Sequence, residues 1–197
     1  MKSIARTFLL SVLLIFKAAA AEYVPPSKFA VVIGQDKVPV TLYVYTSFTC
    51  NHCADGHAKV LPVIIAKYVK TGKAKIIIEP FPMEMFGSMA AIVLGSLPQE
   101  KRLAAMDKLF AKQKEWIGDQ HVKKISEICG VDPKVTQKLF DDANNRSALM
   151  EVRMYAQNKL KVNATPTVFA NGVMAKEPSV KEIEKVIVAA LGAKKAV

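Results

Sequence analysis

Cys50 and Cys53 are separated only by Asn51 and His52, and two sulfurs at that spacing can be joined and parted as a disulfide. The pair stands where a β-branched and aromatic run, Val40–Thr46 (VTLYVYT), gives way to helical periodicity. A helix N-terminus presents unpaired backbone N–H groups and a partial positive charge, so a sulfur at Cys50 is stabilised there as the thiolate. Each unit of lowered thiol pKa corresponds to about 1.4 kcal/mol. Stabilising the thiolate favours the dithiol and makes the disulfide a stronger oxidant, by about 30 mV per 1.4 kcal/mol. His52, protonated or donating a hydrogen bond, acts in the same direction, and Cys53, one turn further, is expected to be the buried resolving thiol. A metal clip or a structural disulfide is the alternative. A bridge closing so short a loop constrains little chain entropy, which weighs against the structural disulfide.

The elements that must position this pair follow from the flanking pattern. Residues 29–33 and 40–46 read as strands, with Gly34, Asp36 and Pro39 in the turn between them. Residues 53–70 read as a helix with Val60, Leu61, Ile64, Ile65 and Tyr68 inward, kinked by Pro62 and closed by Gly72. Ile76, Ile77 and Ile78 lie within residues 73–80 as a run without alternation. Such a run fits a strand buried on both faces and paired in parallel across the preceding helix.

From Met85 to about Leu160 the period is helical. Stripes such as Leu103, Met106 and Phe110, or Val122, Ile125 and Cys129, or Leu149, Val152, Ala156 and Leu160, are punctuated into about five helices. Strand character returns at Thr167, followed by the hairpin signal Asn171-Gly172 and a short strand near residues 173–176. A final helix opens on Ser179-Val180-Lys181-Glu182, a capping box. This order suits an α/β protein, a thioredoxin-like fold with an inserted all-helical subdomain. The expected organisation is a signal peptide over 1–21, a core over 22–84 and 161–197, and a helical insertion over 85–160.

The signal peptide is read from Lys2 and Arg6, the apolar residues 8–16 (FLLSVLLIF) and the alanines at 18–21. The apolar run is far shorter than the roughly 20 residues that span a bilayer. Cleavage near Ala21 lowers the formal charge of the 197-residue chain from +11 to +8, because Lys2, Arg6 and Lys17 leave with no acid. Export places the protein in an oxidising compartment, where three cysteines are too few for a disulfide framework. The remaining basic charge is spread over every helix without interleaved aromatics. It reads as a solvated surface, with no nucleic acid as partner. With 51% hydrophobic residues the chain is neither disordered nor fibrous.

Ser47-Phe48-Thr49-Cys50-Asn51-His52-Cys53, Tyr68-Val69-Lys70-Thr71-Gly72, Phe81-Pro82, and Thr165-Pro166-Thr167-Val168-Phe169 with Asn171-Gly172 together resemble the DsbA-like branch of the thioredoxin superfamily, from about Gly34 to Leu191. The resemblance implies a protein thiol:disulfide oxidoreductase with no cofactor beyond its own Cys50–Cys53 disulfide. Cys50 would be the nucleophile and Cys53 the resolving cysteine. Pro166 would be a cis-proline whose neighbour Thr165 faces the disulfide and binds extended client backbone. It further implies that the helical insertion caps the site, that clients are exported proteins with free cysteines, and that a quinone-linked membrane thiol oxidase recharges the disulfide. Two positions depart from the branch: Asn51 stands where strong oxidases commonly carry proline, and Val44 stands where members often place a buried acid.

Within this chemistry a periplasmic dithiol oxidase competes with an isomerase or reductase. Isomerases of this kind often need an oligomerising N-terminal extension, and only about a dozen residues separate Glu22 from Gly34, which favours a monomeric oxidase. A different class is a copper-binding chaperone using Cys50, Cys53 and His57, which form C-x-x-C-x-x-x-H. No metal is expected, because a polar-satisfied His57 is the plainer reading. Met83, Met85 and Met89 suit copper ligation, a client groove or, most commonly, core filling. Cys129 reads as a buried inert thiol, and Trp116 and His121 carry no signal.

Overall fold

The computed structural model describes residues 25–195; the expected signal peptide lies outside them. Strands β1 (Val31–Ile33), β2 (Val40–Thr46), β3 (Ala74–Pro80), β4 (Thr167–Ala170) and β5 (Val173–Met174) form one sheet in the order β1-β3-β2-β4-β5. The isoleucine run behaves as its lack of alternation predicts. Every residue of β3 is buried, and β3 lies parallel to β2 with Val44 opposite Ile78 and Tyr45 opposite Glu79. β1 pairs antiparallel with β3, so the two N-terminal strands are not neighbours. β1 also starts later than the expected residue 29, because Ala30 N–H is spent on Ser27 O at 3.1 Å in a turn.

The parallel pairing needs a crossover, and its helix differs from the expected continuous one over 53–70. It divides into α1 (Asn51–Lys59), α2 (Leu61–Ile64) and a π-helical turn, Ile65–Val69. Pro62 has no N–H to continue α1 but is accommodated in the first turn of α2, where that N–H would be unpaired anyway. The π turn ends with Lys70 N–H on Ile65 O at 2.9 Å and brings Val69 into the core, while Gly72 at φ 68° ends the crossover.

Between β3 and β4 run six helices among the described residues, against about five expected: α3 (Met85–Gly95), α4 (Gln99–Ala111), α5 (Gln113–Trp116), α6 (His121–Cys129), α7 (Pro133–Asp141) and α8 (Ala143–Asn158). The four-residue α5 is too short to display a period. Met106, Phe110, Ile125, Cys129, Leu149 and Ala156 are buried, as the stripes require. Asn171 and Gly172 both take positive φ, 45° and 85°, the signature of the tight hairpin between β4 and β5. β5 is shorter than expected, ending at Met174. In α9 (Val180–Lys195), Ser179 Oγ accepts Glu182 N–H at 3.4 Å, whereas Glu182 Oε1 accepts from Lys185 Nζ at 2.6 Å.

Alternation along β2 and β3 separates two environments. Leu42, Val44, Thr46, Ile76 and Ile78 face a space shared with α1, α2 and α9, while Tyr45 packs with Phe81, Phe169, Val162 and Ala156 of α8.

Candidate active site

β2 delivers the chain to a turn at residues 47–50, and Cys50 is the N-cap of α1, with φ −85° and ψ 120°. A capping residue is normally oxygen-bearing; here the Cys50 Sγ takes that place and accepts the Cys53 N–H at 3.3 Å. On its other side the Cys50 thiol donates to Thr165 O at 3.4 Å. The Thr165–Pro166 peptide bond is cis, so two segments more than a hundred residues apart in sequence meet at one sulfur. Cys50 is partly exposed, Cys53 is 2% exposed, and all three cysteines are free thiols.

Burial pushes the Cys53 thiol up to about 11, outweighing the hydrogen bonds of Ser47 N–H, Thr165 and Thr46 that pull it down. The two sulfurs are therefore unequal: one is partly exposed at a helix N-terminus, and the other is buried. Asn51 and His52 occupy the exposed first turn. Asp55, further along α1, has its carboxyl held below the ordinary range mainly by Lys59, 2.6 Å away, with a smaller contribution from His52.

The helical block holds the turn from above. Gln113 of α5, a buried side chain, donates from Nε2 to Phe48 O at 2.7 Å and Cys50 O at 3.2 Å, and the Phe48 ring stacks on Phe110 at 5.2 Å. Sequence reasoning missed Gln113, since a glutamine opening a four-residue helix has no periodic or motif signal. His57 is held in the same way. Its Nε2 lies 2.6 Å from Asp107 Oδ1 on α4, and its ring packs on Phe110 at 4.8 Å. Among the described residues no group of three or more His, Cys, Asp or Glu side chains is gathered to hold a metal ion.

The methionine group divides. Met83 is 56% exposed, with its Sδ 4.0 Å from Thr165 Oγ1; Met85 is also exposed, and Met89 is core. Cys129 is a buried free thiol, and desolvation pushes it up to about 12. A partly open cleft runs beneath Cys53 and Pro166, lined mainly by apolar side chains that include Val44. Among the described residues no helix is long and apolar enough to cross a membrane.

A family model described as Thioredoxin matches residues 27–189. The chain belongs to the thioredoxin family. A putative protein-disulfide oxidoreductase of Rickettsia bellii is 24% identical over 79% of this chain and 62% of its own length. A probable disulfide bond formation protein D of Bacillus anthracis is 26% identical over 79% of this chain and 75% of its own. The chain thus spans less than two thirds of the rickettsial relative. Among solved structures, Wolbachia pipientis alpha-DsbA1 superposes with a TM-score of 0.73 at 25% identity, covering 83% of this chain and 92% of that one. Oxidised BdbD of Bacillus subtilis, at TM-score 0.74 and 21% identity over 85% and 96% of the two chains, has the same fold. This thioredoxin-family chain is therefore DsbA-like, with the mixed five-stranded sheet interrupted by helices α3–α8 before β4.

Proposed function

We propose that this DsbA-like protein is a thiol:disulfide oxidoreductase that works as a dithiol oxidase on exported proteins with free cysteines. The carrying observation is the placement of Cys50 Sγ at the α1 N-terminus, between Cys53 N–H and Thr165 O, with Cys53 buried one turn behind. The reactive species is the Cys50–Cys53 disulfide, and no further cofactor is invoked. A client thiolate attacks Cys50 Sγ; the client–Cys50 bond forms, the Cys50–Cys53 bond breaks, and Cys53 leaves with the electron pair. A second client thiolate then attacks the client sulfur of the mixed disulfide. The client gains a disulfide, and Cys50 leaves as a thiolate stabilised by the helix N-terminus.

Thr165 and Pro166 are the proposed rest for extended client backbone, and Asn51 and His52 the residues that tune the poise of the pair. Two electrons per cycle remain on the dithiol, so an oxidant must remove them; a quinone-linked membrane thiol oxidase is the proposed partner. The N-terminal sequence supports secretion to a periplasm, with the mature protein acting as a monomer. The test is the equilibrium redox potential of the Cys50/Cys53 couple against glutathione, together with trapping of free thiols in situ. A potential near about −120 mV and a mainly oxidised pair are expected. A value near about −270 mV, with a mainly reduced pair, overturns the oxidase in favour of a reductase or isomerase.

A further inference from the structure

Cys53 has a problem that Cys50 does not. It must lose its proton whenever the dithiol closes to a disulfide and regain one whenever the disulfide opens, yet it is 2% exposed. The cleft into which it faces is lined by Leu42, Val44, Ile64, Ile76, Ile78, Val168 and other groups without ionisable function, and by one imidazole, that of His57. Cys53 and His57 are four residues apart on α1, so their Cβ atoms are neighbours on one helix face about 5–6 Å apart. The His57 side chain is only 10% exposed, whereas Asp107, bonded to its Nε2, is 59% exposed. The pair therefore connects the apolar cleft to an exposed carboxylate at the surface.

The geometry points to His57 and Asp107 as the proton relay of the buried thiol, an assignment that rests on the oxidoreductase reading. An ionised carboxylate only accepts hydrogen bonds, so Asp107 fixes the hydrogen of neutral imidazole on Nε2 and leaves Nδ1 as a base. When a mixed disulfide at Cys50 closes, Nδ1 takes the proton of Cys53, the Cys53 thiolate attacks Cys50 Sγ to form the Cys50–Cys53 bond, and the bond from Cys50 to the attached thiol breaks, that thiol leaving with the electron pair. When a client opens the disulfide, imidazolium returns a proton to the departing Cys53 thiolate. The raised Cys53 thiol makes such help necessary near neutral pH. The charged and titratable groups around His57 are Cys53 on its inner side, Asp107 on α4, and Asp55, Lys112, Lys114 and Glu115 around the outer groove.

The test uses the reduced protein and oxidised glutathione, quenched in acid and separated by mass. The first step gives glutathionylated Cys50, and the second, attack by Cys53, releases glutathione. Near neutral pH, His57→Gln is expected to slow the second step at least about tenfold while the first changes less than about twofold. The deficit should shrink as pH approaches about 11, where Cys53 ionises unaided. Asp107→Asn, a change at an exposed position, should slow the same step to a smaller extent. Unchanged second-step rates in both variants, or a slowing equal at every pH, overturn the relay. A wild-type protein that forms no Cys50–Cys53 disulfide with oxidised glutathione instead overturns the oxidoreductase reading beneath it.

Discussion

On β2 and β3, Val44 and Ile78 face the cleft with Cys53, while their neighbours Tyr45 and Glu79 face the other side of the same sheet. The first face holds a sulfur and no carboxylate. The second holds a carboxylate, 4% exposed, whose oxygens accept from Ser27 N–H at 2.8 Å and Ser27 Oγ at 2.6 Å. Because side chains alternate with a period of two, a single step along the strand decides which face an ionisable group serves. A buried acid is present in this fold, but on the face where it anchors the N-terminal segment and not among the residues that line the cleft with Cys53. On the proposed oxidoreductase reading the sulfur face serves exchange, while the carboxylate face serves attachment of the N-terminal segment.

The sharpest way to break that contrast is to remove one function and look for the other. Cys50→Ser takes away the attacked sulfur, and disulfide transfer to a dithiol peptide should fall to the uncatalysed background with Tm nearly unchanged. Tm falling in step with activity would mean that the sulfur face also carries stability. Moving an acid between faces is the next largest change. Val44→Glu places a carboxyl in the cleft without any equivalent of Ser27 and should cost about 2–4 kcal/mol in urea unfolding at mildly alkaline pH. The loss should be smaller in acid, where the carboxyl is neutral. An equal cost at both ends of that range would show that steric crowding, not charge, excludes an acid from this face.

What could be read from the sequence divides along similar lines. Cys50 and Cys53, the Asn171-Gly172 hairpin, the isoleucine run of β3 and the stripe of α6 were legible because each signal lies within a few neighbouring residues. Pro62 announced a kink in one helix, not a division after which the chain resumes as a short helix and a π turn, since that depends on how Val69 fits the core. The partners that complete the site were invisible. Gln113 meets Phe48 across 65 positions, Asp107 meets His57 across 50, and Ser27 meets Glu79 across 52, and no local pattern marks either end of such a pair. His57 was visible as a residue, weighed as a metal ligand through the C-x-x-C-x-x-x-H spacing against the plainer reading of a polar-satisfied side chain, but that its polar partner is Asp107 was not.

A smaller effect is expected at the anchor of the second face. Ser27→Ala removes the 2.6 Å bond to Glu79 and should lower stability by about 1–2 kcal/mol in urea unfolding, with transfer of disulfides unaffected. Reduced transfer in that variant would mean that the two faces are coupled through β2 and β3.

The smallest effect is one of slope. Burial raises the Glu79 carboxyl above its ordinary value, opposed by the two Ser27 bonds, so the folded chain holds that proton more tightly than the unfolded chain. The stabilisation from protonation is complete below the unfolded carboxyl range, about 4.3, and is lost as pH rises through the higher folded value. Glu79→Gln can accept from Ser27 N–H and donate to Ser27 Oγ without titrating. Its Tm should match that of wild type in acid, exceed it slightly near neutrality, and vary less with pH between the two. If wild type instead gains stability over the variant as pH rises, the ionised carboxylate is the favoured partner of Ser27, and the second face binds its anchor through charge rather than despite burial.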